Sequence, residues 1–104
     1  MILSVKPSPL KTKRLRVQFR YRDGTEKSFD FGFKSALRFG NTYVDGASAE
    51  TREAYRNRHM GNEVEARLIR NMVPSPALFS YYLLWGEHRS IEDNKIALNR
   101  MFRD

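Results

Sequence analysis

Two histidines, His59 and His88, are the first side chains to weigh for catalysis or metal binding, and their settings argue against both. They are not spaced one helical turn apart, and neither an HExxH run nor an EF-hand loop occurs. His59 follows Arg58 and reads as a helix-end residue, where a cationic ring suits the dipole. His88, within Gly86-Glu87-His88-Arg89, reads as a turn residue. Gly32, Gly40 and Gly46 lie too far apart to cradle a phosphate, and no serine stands in a nucleophile-elbow context. The carboxylate pairs Glu63 with Glu65 and Glu92 with Asp93 fit the first turns of helices, where the dipole favours acids. Without cysteine there is no thiol nucleophile, thiolate metal site or disulfide. The expectation is a non-enzymatic protein with no cofactor or metal.

What remains is cationic chemistry. Of the 19 Lys and Arg residues, Lys6, Lys11, Lys13, Arg14, Arg16, Arg20 and Arg22 precede the first acid, and the others match the 12 acids one for one. The whole net charge of +7 therefore belongs to the N-terminal segment. Such an excess is an electrostatic footprint for phosphate backbones or acidic protein surfaces. Across a hairpin, Glu26 and Asp30 would neutralise Arg20 and Arg16, leaving Lys6, Lys11, Lys13, Arg14 and Arg22 uncancelled. A second candidate is the helical stripe Arg52, Tyr55, Arg56 and His59, which share one face at i, i+3, i+4 and i+7. It could grip phosphates or an acidic surface. Equally, Arg52 and Arg56 could pair with Glu53 and Glu63 while Tyr55 covers the sheet edge.

The elements that position these groups read as α+β: an N-terminal antiparallel hairpin or small sheet, then about four short helices on one face. At 104 residues the chain is one domain, divided here into an extended basic arm (1–12) and an α+β body (13–104). Pro7 and Pro9 make the arm extended rather than helical, and it is expected to lie along or away from the body and contact the partner. From Arg14 to Arg22, Leu15, Val17, Phe19 and Tyr21 alternate with polar residues; Phe29, Phe31 and Phe33 answer them. A two-residue Asp-Gly loop would mix the two faces. A three-residue loop, Arg22-Asp23-Gly24 with Gly24 left-handed, pairs Val17 with Phe29 and Leu15 with Phe31, and matches both faces. The aromatics then point away from the arginines, so no base-stacking platform is expected.

Asn41 to Asp45 is either a short strand or an irregular connection. Ser48 with Gly61, Asn62-Glu63-Val64-Glu65, Ser75-Pro76 with Gly86, and Ser90-Ile91-Glu92-Asp93 mark four helices. Ile91, Leu98, Met101 and Phe102 share one face of the last. The third, with Phe79, Tyr81, Tyr82, Leu83, Leu84 and Trp85, is apolar nearly all round and is read as core, with an interface as the alternative. Pro76 to Trp85 is too short to cross a bilayer, which takes about 20 residues, and the first residues lack a signal peptide's apolar core. The expectation is a soluble, intracellular chain.

Val5-Lys6-Pro7-Ser8-Pro9, with Lys11 to Val17, leads into Phe31-Gly32; Tyr43 and Asp45 follow, then Arg52, Tyr55, Arg58-His59 and Glu63, and later Leu84-Trp85. In order and spacing, this run from Val5 to about Ile91 resembles a family of small basic proteins encoded by nucleocytoplasmic large DNA viruses. The glycine-containing stretch Lys34 to Thr42 departs from it. The family has no assigned catalytic residues to carry over. The resemblance implies a viral protein in or around the particle, present in host cytoplasm or viral factory during assembly. The expected function is a minor capsid or internal virion component that contacts acidic capsid-protein surfaces through its N-terminal region. The alternative is a packaging accessory that binds nucleic-acid phosphates without sequence preference.

Overall fold

The computed structural model describes residues 1–34 and 41–103, so most of the Lys34 to Thr42 departure lies outside the described residues. Three strands, β1 (Ile2–Pro7), β2 (Lys13–Arg20) and β3 (Glu26–Phe33), form an antiparallel sheet in the order β1-β2-β3. A 3-10 turn at Tyr43–Asp45 leads to helices α1 (Ala49–Gly61) and α2 (Glu63–Arg70). A short α3 (Pro76–Phe79) continues as a π-helical turn at Ser80–Leu84, and α4 (Ile91–Arg103) follows. The chain is α+β, as its sequence implies.

The β2–β3 register is the one that parity requires. Val17 faces Phe29, Leu15 faces Phe31, Arg16 faces Asp30 and Arg20 faces Glu26. Tyr21 N–H donates to the Thr25 carbonyl, enclosing Arg22-Asp23-Gly24, and Gly24 takes φ 90°. Phe33 departs from the pattern. Gly32 adopts φ 82° and turns the strand, so Phe33 is 66% exposed instead of buried. A Cβ at Gly32 would stand 3.0 Å from Leu84 and 3.1 Å from the Arg14 stem. The glycine thus supplies both the left-handed backbone and the room for this close approach.

Residues 1–12 are not an arm outside the domain. Ile2–Pro7 is a sheet strand, pairing Val5 with Val17 and Lys6 with Arg16. Its register slips between Ile2 and Ser4, which inserts Leu3 as a bulge. The slip reverses the alternation, carrying Ile2 (3% exposed) to the core side opposite Phe19 and leaving Leu3 at the surface. The Asn99 side chain then accepts from Ile2 N–H (2.7 Å) and donates to the Ile2 carbonyl (3.1 Å), as a neighbouring strand would. That bond pair ties the edge strand to α4.

The apolar sheet face, with Leu15, Val17, Phe19, Phe29 and Phe31, is buried beneath α3 and the π turn. Phe79 meets Phe29, Phe31 and Phe19 at centroid distances of 5.3, 6.0 and 6.1 Å. The four predicted helix starts are capped by Ser48, Asn62, Ser75 and Ser90, whose side chains accept from Thr51, Glu65, Leu78 and Asp93 N–H groups. Gly61 ends α1 as a helical residue, and Asn62 serves as its C-cap. Trp85, Leu78 and Leu83 are all buried within the chain, which favours core over interface for this segment.

Trp85→Ala should destabilise the fold by roughly 3–5 kcal/mol in denaturant melts, the range for emptying a large aromatic site. Deleting residues 1–7 should cost about 3 kcal/mol or more, because Ile2 is unburied and a strand's hydrogen bonds are lost. A truncated chain that melts with the full one would mean β1 adds nothing to the sheet.

Candidate functional site

The nine predicted partner-contacting residues separate into an inner and an outer set. Arg52, Tyr55, Arg56 and His59 do lie on one face of α1, but that face points inward. Arg52 Nε donates to the Gly86 carbonyl at 2.8 Å, and its guanidinium lies over the Tyr43 ring. Tyr55 stacks on Trp85, with centroids 4.1 Å apart and planes at 12°, and its hydroxyl shares a hydrogen bond with Ser80. Arg56 sits 4.0 Å above the Tyr81 ring and donates to the Trp85 carbonyl. These arginines bind carbonyls at the end of a helical segment, where a cation is favoured. Pairing of Arg52 and Arg56 with Glu53 and Glu63 is not formed among the described residues.

His59 packs against Tyr55 at 4.3 Å, and its Nδ1 lies 3.0 Å from the Glu65 carboxylate. The carboxylate is within ion-pair distance but not aligned for a hydrogen bond, which leaves the buried Nδ1 without one. Burial, with Arg58 adding to it, lowers the histidine's pKa against the pull of Glu65.

Arg14 is a further correction. Alternation sets it on the outer face, yet it is 8% exposed and forks onto Asp45 with bonds of 2.5 and 2.8 Å. Asp45 also accepts from Thr42 N–H and Oγ1. Burial pushes the Asp45 carboxyl up, but Arg14 and Thr42 outweigh it and hold it below the usual value. Arg14 therefore fastens β2 to the turn ahead of α1 and is not presented to a partner.

On the outer sheet face the expected neutralisation occurs. Arg16 binds both oxygens of Asp30 at 3.0 Å, and Arg20 reaches Glu26 at 3.3 Å. Hydrogen bonding from Arg16, with help from Ser8, holds Asp30 below its ordinary pKa. Ser8 is buried; its Oγ donates to Asp30 and accepts from Leu10 N–H, which fixes the Pro7–Thr12 turn.

Lys6, Lys11, Lys13 and Arg22 remain exposed, and among the described residues none has an acid within ion-pair distance. The three lysines gather at and beside the β1–β2 turn. Arg22 lies past the opposite end of β2, roughly 25 Å away at about 3.3 Å per residue. There it lines an open apolar cleft of about 420 Å³ with Phe19, Tyr21, Met72, Met101 and Phe102. Arg103 stands on the adjoining surface. The cleft joins four separate segments, at Met1, Phe19 to Arg22, Met72 to Pro74 and Met101 to Phe102, so no local pattern announces it; the one local sign is apolar Met101 and Phe102 beside Arg103 at the end of α4.

Among the described residues, no three His, Asp or Glu side chains gather as a metal site, and no helix is long and apolar enough to cross a membrane. Comparison with protein-family models, curated proteins and solved structures finds no match to this chain.

Asp45 supplies a pH test. Its folded pKa is depressed, so its contribution is complete above the unfolded value near 4 and is lost as pH falls through the folded value. Asp45→Asn should remove up to about 3 kcal/mol at neutral pH, the low end for breaking a buried pair, and should flatten the loss of stability in acid. An acid limb of unchanged steepness in the variant would assign it to other carboxylates, Asp30 first.

Proposed function

We propose that this chain is a non-enzymatic basic binding protein that engages acidic surfaces through the lysine-bearing β1–β2 turn. One observation carries the reading: the neighbouring arginines are bound internally, whereas Lys6, Lys11 and Lys13 stand exposed at and beside an anchored turn with no acid within ion-pair distance among the described residues. A turn fixed by Ser8 presents its charges at a constant place, so less order must be imposed on binding. With the resemblance described above, the reading extends to a minor capsid or internal component of a large DNA virus particle, in contact with acidic capsid proteins.

The second reading is non-sequence-specific binding to nucleic-acid phosphates, favoured by the exposed Phe33 ring beside the lysine-bearing turn. Phe33, exposed opposite Lys13, is a ring on which a base could stack, while the other aromatics among the described residues are buried or half-buried. Salt separates the two readings. A chain neutralising phosphates should show log affinity falling against log salt with a slope of about −0.9 per contact on duplex DNA. Lys6→Gln, Lys11→Gln and Lys13→Gln together should weaken partner binding at low salt and matter less at high salt, since screening sets in beyond about 10 Å at 0.1 M. The fold should melt as before. A triple variant that binds both an acidic capsid protein and duplex DNA as tightly as the native chain would end the lysine reading. Mass spectrometry of particles purified from the encoding virus tests the placement; absence of the chain from both shell and contents would end that part.

A further inference from the structure

We infer that the apolar cleft at the far end of β2 is a docking site for a short apolar segment of a partner protein, flanked by acidic residues. Its floor is aromatic: Phe19 lies edge-on to Tyr21 at 5.1 Å and to Phe102 at 4.9 Å. Its walls include Met72 and Met101, flexible side chains that adapt to an incoming apolar group. Met101 is 40% exposed although α4 directs its neighbours Leu98 and Phe102 into the core.

Met72 adds an independent sign. It follows the α2 C-cap Asn71 at φ 54°, where glycine is the usual residue, and Val73 N–H closes the turn onto the Leu68 carbonyl. Glycine would relieve the backbone there but would remove a wall of the cleft. Strain kept at a ligand-sized hollow is a mark of use.

The charge around the cleft selects the occupant. The cleft continues into a second hollow of about 430 Å³ that shares Tyr21, Arg22 and Phe102 and reaches Arg103, and among the described residues no acid lines either. Arg20 is matched by Glu26, but Arg22 and Arg103 have no acid within ion-pair distance among the described residues. The Tyr21 hydroxyl also has no hydrogen bond among them. An apolar floor beneath two arginines that no described acid pairs with fits a segment that inserts one or two large apolar side chains and sets carboxylates on either side. A phosphate backbone would satisfy the arginines but leave the floor exposed to water.

This inference rests on the reading that the chain binds acidic partner surfaces, and it locates a specificity site apart from the lysines. The test is a fluorescein-labelled peptide, Glu-Asp-Leu-Phe-Asp-Glu, titrated by anisotropy and mapped by amide chemical shifts. Saturable binding is expected, with shifts at Tyr21, Met101 and Phe102. Replacing the peptide's Leu-Phe by Gly-Gly, or its acids by lysines, should weaken binding at least about tenfold. Arg22→Glu with Arg103→Glu, and separately Met101→Glu, should do the same while the melting curve holds, because these side chains are exposed. No saturable binding, equal binding of the Gly-Gly peptide, or loss in the triple lysine variant with the cleft variants unaffected would overturn the cleft assignment and leave the acidic-surface reading standing. Decanoate or duplex DNA displacing the peptide and binding more tightly, with that affinity lost in Met101→Glu, would overturn the choice of occupant. Peptide binding at the cleft, in a chain whose association with acidic proteins ignores the three lysines, would support the cleft and remove the lysine reading alone.

Discussion

Helical carbonyls left without partners inside an apolar core set the arrangement of the rest of this molecule. Leu78 to Trp85 runs beneath the sheet, and its π turn ends at Leu84, inside the protein. Its terminal carbonyls cannot turn to water, and each would cost about 1–3 kcal/mol if left without a partner. The surrounding helices supply the donors. Asn94, buried on α4, donates to the Leu83 and His88 carbonyls and accepts from His88 N–H. Arg56 and Arg52 on α1 take the Trp85 and Gly86 carbonyls. The approach is so close that a Cβ on Gly86 would lie 2.2 Å from the Tyr82 carbonyl oxygen. This explains how α1, with no fully buried residue, docks at all: guanidinium donors and the Tyr55–Trp85 stack replace an apolar stripe.

The same logic sorts arginine from lysine. Arg14, Arg16, Arg52 and Arg56 each meet a planar or multi-acceptor partner, namely a carboxylate, a carbonyl or a ring, which a rigid fork of donors matches better than an ammonium. Lysine, strongly hydrated and flexible, is left to the solvent at Lys6, Lys11 and Lys13. The net positive charge is therefore smaller as a presented surface than as a count. Of the four guanidinium groups in the first 22 residues, those of Arg16 and Arg20 bridge strands and that of Arg14 ties β2 to the turn at Asp45.

The hairpin register, the helix caps and the burial of the third helix were legible because each rests on a local rule: two-residue alternation, a side-chain acceptor at a first turn, an apolar run too dense for a surface. The failures share a different cause. Lys-Pro-Ser-Pro reads as a tail, and the Leu3 bulge breaks the alternation of Ile2 and Val5 that would have marked a strand. Arg14 sits in phase with outward residues, and only the left-handed Gly32 opposite it, with Asp45 reaching back from 31 positions later, shows why it turns inward. The Arg52 to His59 stripe shares one face of α1, as its spacing implies. Whether such a face grips an outside phosphate or an inside carbonyl depends on what packs against it, and spacing along one helix carries no information about that.

The separation of the two exposed cationic regions limits what either can do. Between the lysine turn and Arg22 lies a sheet face whose charges cancel in pairs, about the length of β2. That distance exceeds the screening length of about 8 Å at physiological salt, so the regions act as separate sites rather than as one field. A lysine cluster by itself attracts any anion and discriminates little between a phosphate and a carboxylate. The cleft differs because its aromatic floor stays wet unless the occupant brings apolar surface of its own. An occupant must then satisfy shape and charge together at one end, while the other end needs only opposite charge. On the proposed reading, discrimination between partners therefore resides at the cleft, and the lysine turn contributes attraction and orientation.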